Sequence, residues 1–335
     1  MKGLRMGQIG ITLLVCICAF LIYQKTATLV DDYRYPPIGK LVDVGGYKLH
    51  VHSTGEGEAT VVLDAGLSGT SIGWTLVQNA VANFARVCSY DRAGYAWSEE
   101  ASSKRTSKNL AEELHTLLHQ ASIPGPYLLV GHSFGGCNVL LFADMYPEET
   151  FGVILVDSVH EDMLRKFPTP TRSHFSRLVE HPNTQWLLAI FGCKRLKGPS
   201  PDIEQMFVPL PEKMGRMYGA QMNKTNYTKT VSREMEALSE SLSQLHQSRI
   251  HLQDKPLIVI TAGKFSNVQE ERAWNELQQG LLSKSYLAKQ MIAKKSDHMI
   301  NHHQPEIIVE AIREILMVGR RLNARMRFSP TEEKL

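Results

Sequence analysis

The chain has 335 residues, 43% of them hydrophobic, and a formal net charge of +3. That is enough for one large domain or two small ones. Near-balanced charge without a basic stripe interleaved with aromatics argues against nucleic acid as a partner. Five cysteines with no C-x-x-C spacing argue against a disulfide framework or a zinc site. Cys88, Cys137 and Cys193 read instead as small buried hydrophobes, and neither a cofactor nor a metal is expected.

The N-terminus, residues 1–25, carries IGITLLVCICAFLIY (residues 9–23), an uncharged run preceded by Lys2 and Arg5. At ~1.5 Å per residue it spans about 22 Å, short of the ~30 Å hydrocarbon core, and Met6, Gly7 and Gln24 extend it. A membrane signal anchor is expected, with a cleaved signal peptide and secretion as the rival reading. Lys2 and Arg5 before the run are matched by Lys25 and Arg34 after it, so the positive-inside count is close to a tie. The triplets Asn223-Lys-Thr and Asn226-Tyr-Thr tip the expectation towards a lumenal or extracellular catalytic domain.

YPPIGK (35–40) reads as an extended linker, and residues 40–55 as a β-hairpin around Gly45-Gly46. ATVVLDAG and ARVCSYDRAG are short strands. NLAEELHTLLHQ sets Leu110, Leu114, Leu117 and Leu118 on one helical face. YLLVGHS is a strand and FGGCNVLLFADMY a helix. FGVILVDS, PLIVITAG (256–263) and YLAKQMIA (286–293) are further strands. A helix over QPEIIVEAIREILM, with Pro305 in its first turn, is expected to fade near Val318 into a polar tail, 319–335. Strands alternating with helices predict a mostly parallel, doubly wound sheet.

Residues 159–253 contain no convincing strand and hold six of the thirteen methionines: Met163, Met206, Met214, Met217, Met222 and Met235. So long an insertion reads as a lid or a separate unit. Its methionines are either ordinary core or a flexible apolar lid wall.

The pattern G-x-S-x-G occurs twice, at GHSFG (131–135) and GTSIG (69–73). Ser133 follows a strand directly and opens a helix, the setting of a nucleophile elbow. Gly131, Gly135 and Gly136 leave room for the turn, and the helix start offers free N–H groups to a developing negative charge. Ser71 lies in a loop, seven residues past Asp64, and reads as the chance copy. A serine nucleophile needs a base. His298 falls in the loop before the last helix, at the same strand ends as the elbow. His302 and His303 are competitors that read as surface residues. No acid follows PLIVITAG until Glu270 and Glu271. Asp157, at the end of VILVD, is therefore the expected acid, and Asp297 is expected to point elsewhere. The oxyanion donors are expected to be the N–H groups of Phe134 and of Leu67, whose loop is opened by Gly66 and Gly69.

LDAGLSG, SYDRAGYAWS, GHSFGG, VILVDSVH and SDHMINHHQPEIIVEAI, in this order, resemble the α/β-hydrolase superfamily over residues 38–318. The resemblance implies a hydrolase core at 38–158 and 254–318 under a helical cap at 159–253. It also implies a structural role for Asp91 and Arg92. LDAG stands where His-Gly is usual, and Asp157 stands one strand earlier than the usual acid. Together these imply a membrane-anchored serine hydrolase of a carboxylic, lipid-like ester. The same triad could serve a thioesterase, amidase, C–C hydrolase or acyltransferase, and an idle scaffold that binds a lipid or partner is the reading of another class. A serine at the elbow argues against the epoxide hydrolases and dehalogenases of this fold, which use aspartate there.

Overall fold

The computed structural model describes residues 2–166, 182–199 and 201–327. Eight strands form one sheet: β1 Lys40–Asp43, β2 Lys48–Thr54, β3 Thr60–Asp64, β4 Arg86–Tyr90, β5 Tyr127–His132, β6 Thr150–Val156, β7 Leu257–Ala262 and β8 Ala288–Ala293. Their order is β1-β2-β4-β3-β5-β6-β7-β8. The first two pairings, β1 with β2 and β2 with β4, are antiparallel, and every later pairing is parallel.

The strand interiors explain the order. β3 and β5 are buried at every position, as in a parallel sheet covered on both faces. One face packs Leu110, Leu114 and Leu117 of the helix Ser107–Gln120, with Leu140 of the helix Phe134–Met145, against Val62, Leu129 and Val259. The other packs Trp74, Val77 and Val81 with Ile308, Ile312 and Ile315 against Val61, Leu63, Val130 and Ile154. The β1–β2 hairpin turns at Gly45 and Gly46, with φ of 109° and 100°, which a side chain rarely tolerates. Asp43 Oδ1 caps that turn by accepting both glycine N–H groups, at 2.8 and 3.0 Å.

Several boundaries differ from the sequence reading. The N-terminal helix runs Lys2–Arg34, well past the apolar run. Its last turns are held by tertiary contacts: Gln24 Nε2 donates to Asn223 O at 2.8 Å, Arg195 pairs with Asp31, and Lys224 pairs with Asp32 at 2.7 Å. The final helix runs Pro305–Arg327, beyond Val318, while 328–335 of the expected tail lie outside the described residues. The helices Thr75–Val81 and Val268–Leu281 were not foreseen.

Between β6 and β7 the described residues form helices: Met163–Lys166, Pro182–Ile190, Cys193–Lys197, Pro201–Phe207, Glu212–Met222 and Thr225–Ser248. Residues 167–181 and 200 of the expected cap lie outside the described residues. Met163, Met217 and Met235 are buried core, whereas Met222 lines a cavity. Cys88 and Cys137 are buried, and burial pushes the Cys88 thiol up to about 12.

Candidate active site

Four loops meet at the carboxyl ends of the parallel strands, where α/β sheets place their ligands. They follow β3, β5, β6 and β8.

Ser133 sits between β5 and the helix Phe134–Met145 with φ 51° and ψ −120°, a strained conformation for a residue with a side chain. The surroundings enforce it. Its N–H donates to Val156 O at 3.0 Å, and its carbonyl accepts from Gly136 N at 3.0 Å and Val159 N at 3.1 Å. The turn is also sterically closed. A Cβ on Gly131 would stand 2.5 Å from Gly135 O, and one on Gly135 would stand 2.4 Å from Asp64 O. Phe134 is the first helical residue, so its N–H is among the helix N-terminal groups without an intrahelical partner.

Asp157 and His298 are brought together, His298 Nδ1 lying 2.7 Å from Asp157 Oδ2. Asp157 is itself at φ 44°, locked by its N–H to Ile260 O at 2.7 Å. Its other oxygen accepts from Ala262 N at 2.9 Å and from Trp274 Nε1 at 2.8 Å. A carboxylate so held makes Nδ1 the protonated nitrogen and leaves Nε2 with a free lone pair. Partial withdrawal of the ring from water works against the imidazolium, but the hydrogen bond and charge of Asp157, with a smaller push from Asp297, outweigh it. The His298 pKa therefore stands above the ordinary histidine value. The side chain keeps 47% of its surface exposed, open to an incoming molecule.

His132, next to Ser133, supports this loop and was not anticipated. Its Nε2 donates to His298 O at 2.8 Å, and the two rings lie 4.8 Å apart. Burial first, then the neighbouring His298, lowers its pKa to about 3, so it is neutral.

The β3 loop presses against the elbow. A Cβ on Gly66 would lie 3.0 Å from Ser133 Cβ, so Gly66, the residue before Leu67, borders the serine. Gly69 N donates to Gly66 O at 2.9 Å, closing the turn. Arg92 fixes the loop from below, donating to Ala65 O at 2.6 Å and Gly66 O at 2.9 Å. It also pairs with Asp64 at 2.9 Å and with Glu234 of the helix Thr225–Ser248 at 2.7 Å. Asp91 holds the second G-x-S-x-G copy, accepting from Ser71 N at 2.7 Å. Ser71 thus opens a short 3-10 turn.

The remaining candidates separate from this group. His302 is buried, against expectation, with Nδ1 2.8 Å from Met206 O, and burial lowers its pKa. His303 pairs with Asp297 at 2.8 Å. Glu270 and Glu271 stand in the first turn of the helix Val268–Leu281. Trp274, four residues on from Glu270, is the residue of that segment that reaches Asp157. At the opposite end of the sheet, His115, His119 and Glu149 bring three ligand atoms within 4.8 Å and could hold a divalent ion. His115 and His119 each contact Glu149, at 2.9 and 3.0 Å, next to the start of β5 and β6.

Residues 59–314 match the family model described as alpha/beta hydrolase fold. An uncharacterised Bacillus subtilis protein, YqjL, is 26% identical over 278 residues, covering 82% of this chain and 91% of its own. The Cif epoxide hydrolase from Acinetobacter nosocomialis superposes with a TM-score of 0.68 at 13% identity, over 88% of this chain and 96% of that one. A lipase candidate from Acinetobacter baumannii superposes with a TM-score of 0.62 at 20% identity, over 89% and 97%.

Proposed function

The chain belongs to the alpha/beta hydrolase fold family, and from that premise we propose that it is a membrane-anchored serine hydrolase acting on a carboxylic ester. The fold family and its hydrolase neighbours support a hydrolase of a small-molecule substrate. A serine, where the aspartate-dependent members of the fold carry their nucleophile, favours acyl chemistry. The observation that carries the reading is the 2.7 Å contact of Asp157 with His298 Nδ1, beside a serine held at φ 51°.

In this mechanism His298 Nε2 takes the proton of Ser133 Oγ as that oxygen bonds to the carbonyl carbon. The carbonyl oxygen gains the electron pair and is held by the N–H groups of Phe134 and Leu67. As the tetrahedral species collapses, the alcohol leaves with the proton from His298. Water then gives a proton to His298 and attacks the acyl group, and Ser133 regains its proton as the carboxylic acid departs.

The described helix Gly7–Arg34 is long and apolar enough to cross a membrane by length and composition. We read it as an uncleaved anchor, with the catalytic domain on the extracytoplasmic or lumenal side. Asn223 is half-buried against that helix, which leaves Asn226 as the more accessible sequon. We treat residues 159–253 as the cap over a core of 38–158 and 254–318.

Labelling of the full-length protein by a fluorophosphonate tests the reading. Labelling of the wild type that is lost in Ser133→Ala, Asp157→Asn and His298→Ala is the expected result. Labelling that survives Ser133→Ala overturns it. Resistance to alkaline carbonate extraction from membranes tests the anchor.

A further inference from the structure

A cavity of about 420 Å³ lies among the helices between β6 and β7, lined by Lys194, Phe207, Gly219, Met222, Asn223 and Tyr227 among others. Its size is that of a small-ligand site. It lies outside the group around Ser133 but is joined to it by one side chain. Tyr227 lines the cavity, and its hydroxyl donates to Ser68 O at 2.8 Å, on the loop whose Gly66 borders Ser133.

The outer rim is tied to the end of the apolar N-terminal run. Asn223 O, at the rim, accepts from Gln24 Nε2 at 2.8 Å. Arg195, in the short helix Cys193–Lys197, reaches Gln24 Oε1 at 3.3 Å and pairs with Asp31. A Cβ on Gly192 would touch the Tyr23 ring at 3.0 Å. Tyr23 and Gln24 are where the uncharged run ends. If that run spans a bilayer, the rim stands at its surface. The neighbouring cap side chains have the composition of such a surface: Trp186, Leu187, Leu188 and Leu196 are exposed, with Lys194 and Lys197 beside them.

Lys194 gives the cavity a chemical preference. The ammonium is half-buried in the wall, and among the described residues its hydrogen-bond partner is the Thr228 hydroxyl at 3.2 Å, with no carboxylate paired to it. A half-buried cation with no anion paired to it among the described residues favours an anionic ligand. A neutral ester supplies none, whereas its hydrolysis creates a carboxylate.

We propose that the cavity binds a long-chain carboxylate, the acyl product of the reaction at Ser133, with its chain against Phe207, Gly219, Met222 and Tyr227 and its carboxylate at Lys194, and passes it to the adjacent leaflet. The proposal rests on the reading of Ser133 as an esterase nucleophile and of the N-terminal helix as an anchor. It makes the cap a conduit between site and membrane rather than only a cover. Tyr227, which lines the cavity and bonds to the β3 loop, is the side chain that joins the two.

The test uses full-length protein in phosphatidylcholine nanodiscs, with a fluorescent long-chain fatty acid and its methyl ester as probes. Empty nanodiscs set the background. Gly219 is the site for a blocking change, because a Cβ there meets no atom within 4 Å. Gly219→Trp should weaken binding of both probes by about tenfold through lost apolar burial. Lys194→Gln should weaken the acid by about tenfold and leave the methyl ester within about twofold. Each variant is compared with the wild type by circular dichroism, so that misfolding is seen directly. Binding no greater than to empty nanodiscs, binding indifferent to Gly219→Trp, or equal loss of both probes in Lys194→Gln would overturn the proposal. Fluorophosphonate labelling of Ser133 in the wild type reports separately on the esterase reading. Probe binding that obeys both variants without labelling keeps the carboxylate site and removes only its link to catalysis.

Discussion

Trp274 donates its indole N–H to Asp157 Oδ1 at 2.8 Å, while His298 Nδ1 holds Oδ2 of the same carboxylate at 2.7 Å. The indole therefore sets the direction in which the carboxylate faces the imidazole. Ala262 N, at 2.9 Å from Oδ1, shares that task.

Replacing the carboxylate should cost far more than replacing its support. Asp157→Asn is expected to lower kcat by about 10³–10⁴, because the amide no longer favours the Nδ1–H form of His298. Trp274→Phe keeps the Ala262 contact and should lower kcat/KM by about tenfold, the scale of lost outer-shell orientation. Steady-state kinetics on one soluble ester orders the two. A Trp274→Phe effect as large as that of Asp157→Asn would mean that the indole acts on the substrate itself.

The pH dependence follows from two histidines shifted in opposite directions. The pKa of His298 is raised in the folded protein, so its pairing with Asp157 contributes stability that is complete below the ordinary value of about 6.5. That contribution is lost as pH rises through the folded value, where the neutral base becomes available. The acidic limb of kcat/KM should therefore have its midpoint above about 6.5. His132, lowered to about 3, behaves conversely. Its burial in the neutral form contributes stability above pH about 6.5 that is lost as pH falls from there towards about 3. Urea denaturation from pH 3 to 9 reads this sign, and His132→Gln should flatten the acid side.

Two glycines with opposite surroundings predict opposite outcomes. On Gly131 a methyl would meet Gly135 O at 2.5 Å and Gly136 Cα at 2.6 Å, all backbone that cannot give way. Gly131→Ala should abolish Ser133 labelling and lower the yield of folded protein. Gly219 lies in the helix Glu212–Met222 with no atom within 4 Å of a Cβ. Gly219→Ala should raise stability by up to about 1 kcal/mol through helix propensity. Thermal denaturation of both variants checks the pair.

Which parts of this site were legible in the sequence depends on the range of the forces involved. Ser133 was legible because strand, turn and helix are neighbours in the chain, and the steric demand of the elbow is written in its glycines. His298 and Asp157 could be placed at strand ends by order alone. Their 2.7 Å contact depends on β7 and β8 lying beside β6, which a local pattern does not specify. The roles of His132 and Trp274 were invisible for the same reason, since each acts through a contact more than a hundred residues away in the chain. His302 looked like a surface residue because it is polar and near a helix start, yet Met206 from a distant segment satisfies it. The N-terminal helix outran its apolar run because Gln24, Asp31 and Asp32 find partners at Asn223, Arg195 and Lys224, which a hydropathy reading does not weigh.

The last prediction concerns the buried charges beneath the site. Arg92 and Glu234 are almost wholly removed from solvent, and Asp64 is fully buried. Burial raises the Asp64 pKa, opposed by Arg92, Tyr90 and Asn138. Tyr95 OH donates to the second oxygen of Glu234 at 2.8 Å. Glu234→Ala leaves the guanidinium with Asp64 and two carbonyls and strips Tyr95 of its acceptor. Breaking one partner from such a group should cost about 3–5 kcal/mol in urea denaturation. Replacing the pair, Arg92→Met with Glu234→Leu, removes the orphaned cation but leaves Asp64 buried with only Tyr90 and Asn138 as donors, so it should recover part of that loss and not all. The kinetic consequence differs from the thermodynamic one. Arg92 holds the carbonyls of Ala65 and Gly66, and through them the loop that borders Ser133. If that loop supplies the proposed oxyanion donor, any Arg92 variant that folds should lose kcat more than KM, because the loop is loosened while the substrate is not touched. A change confined to KM would assign Arg92 to substrate binding instead.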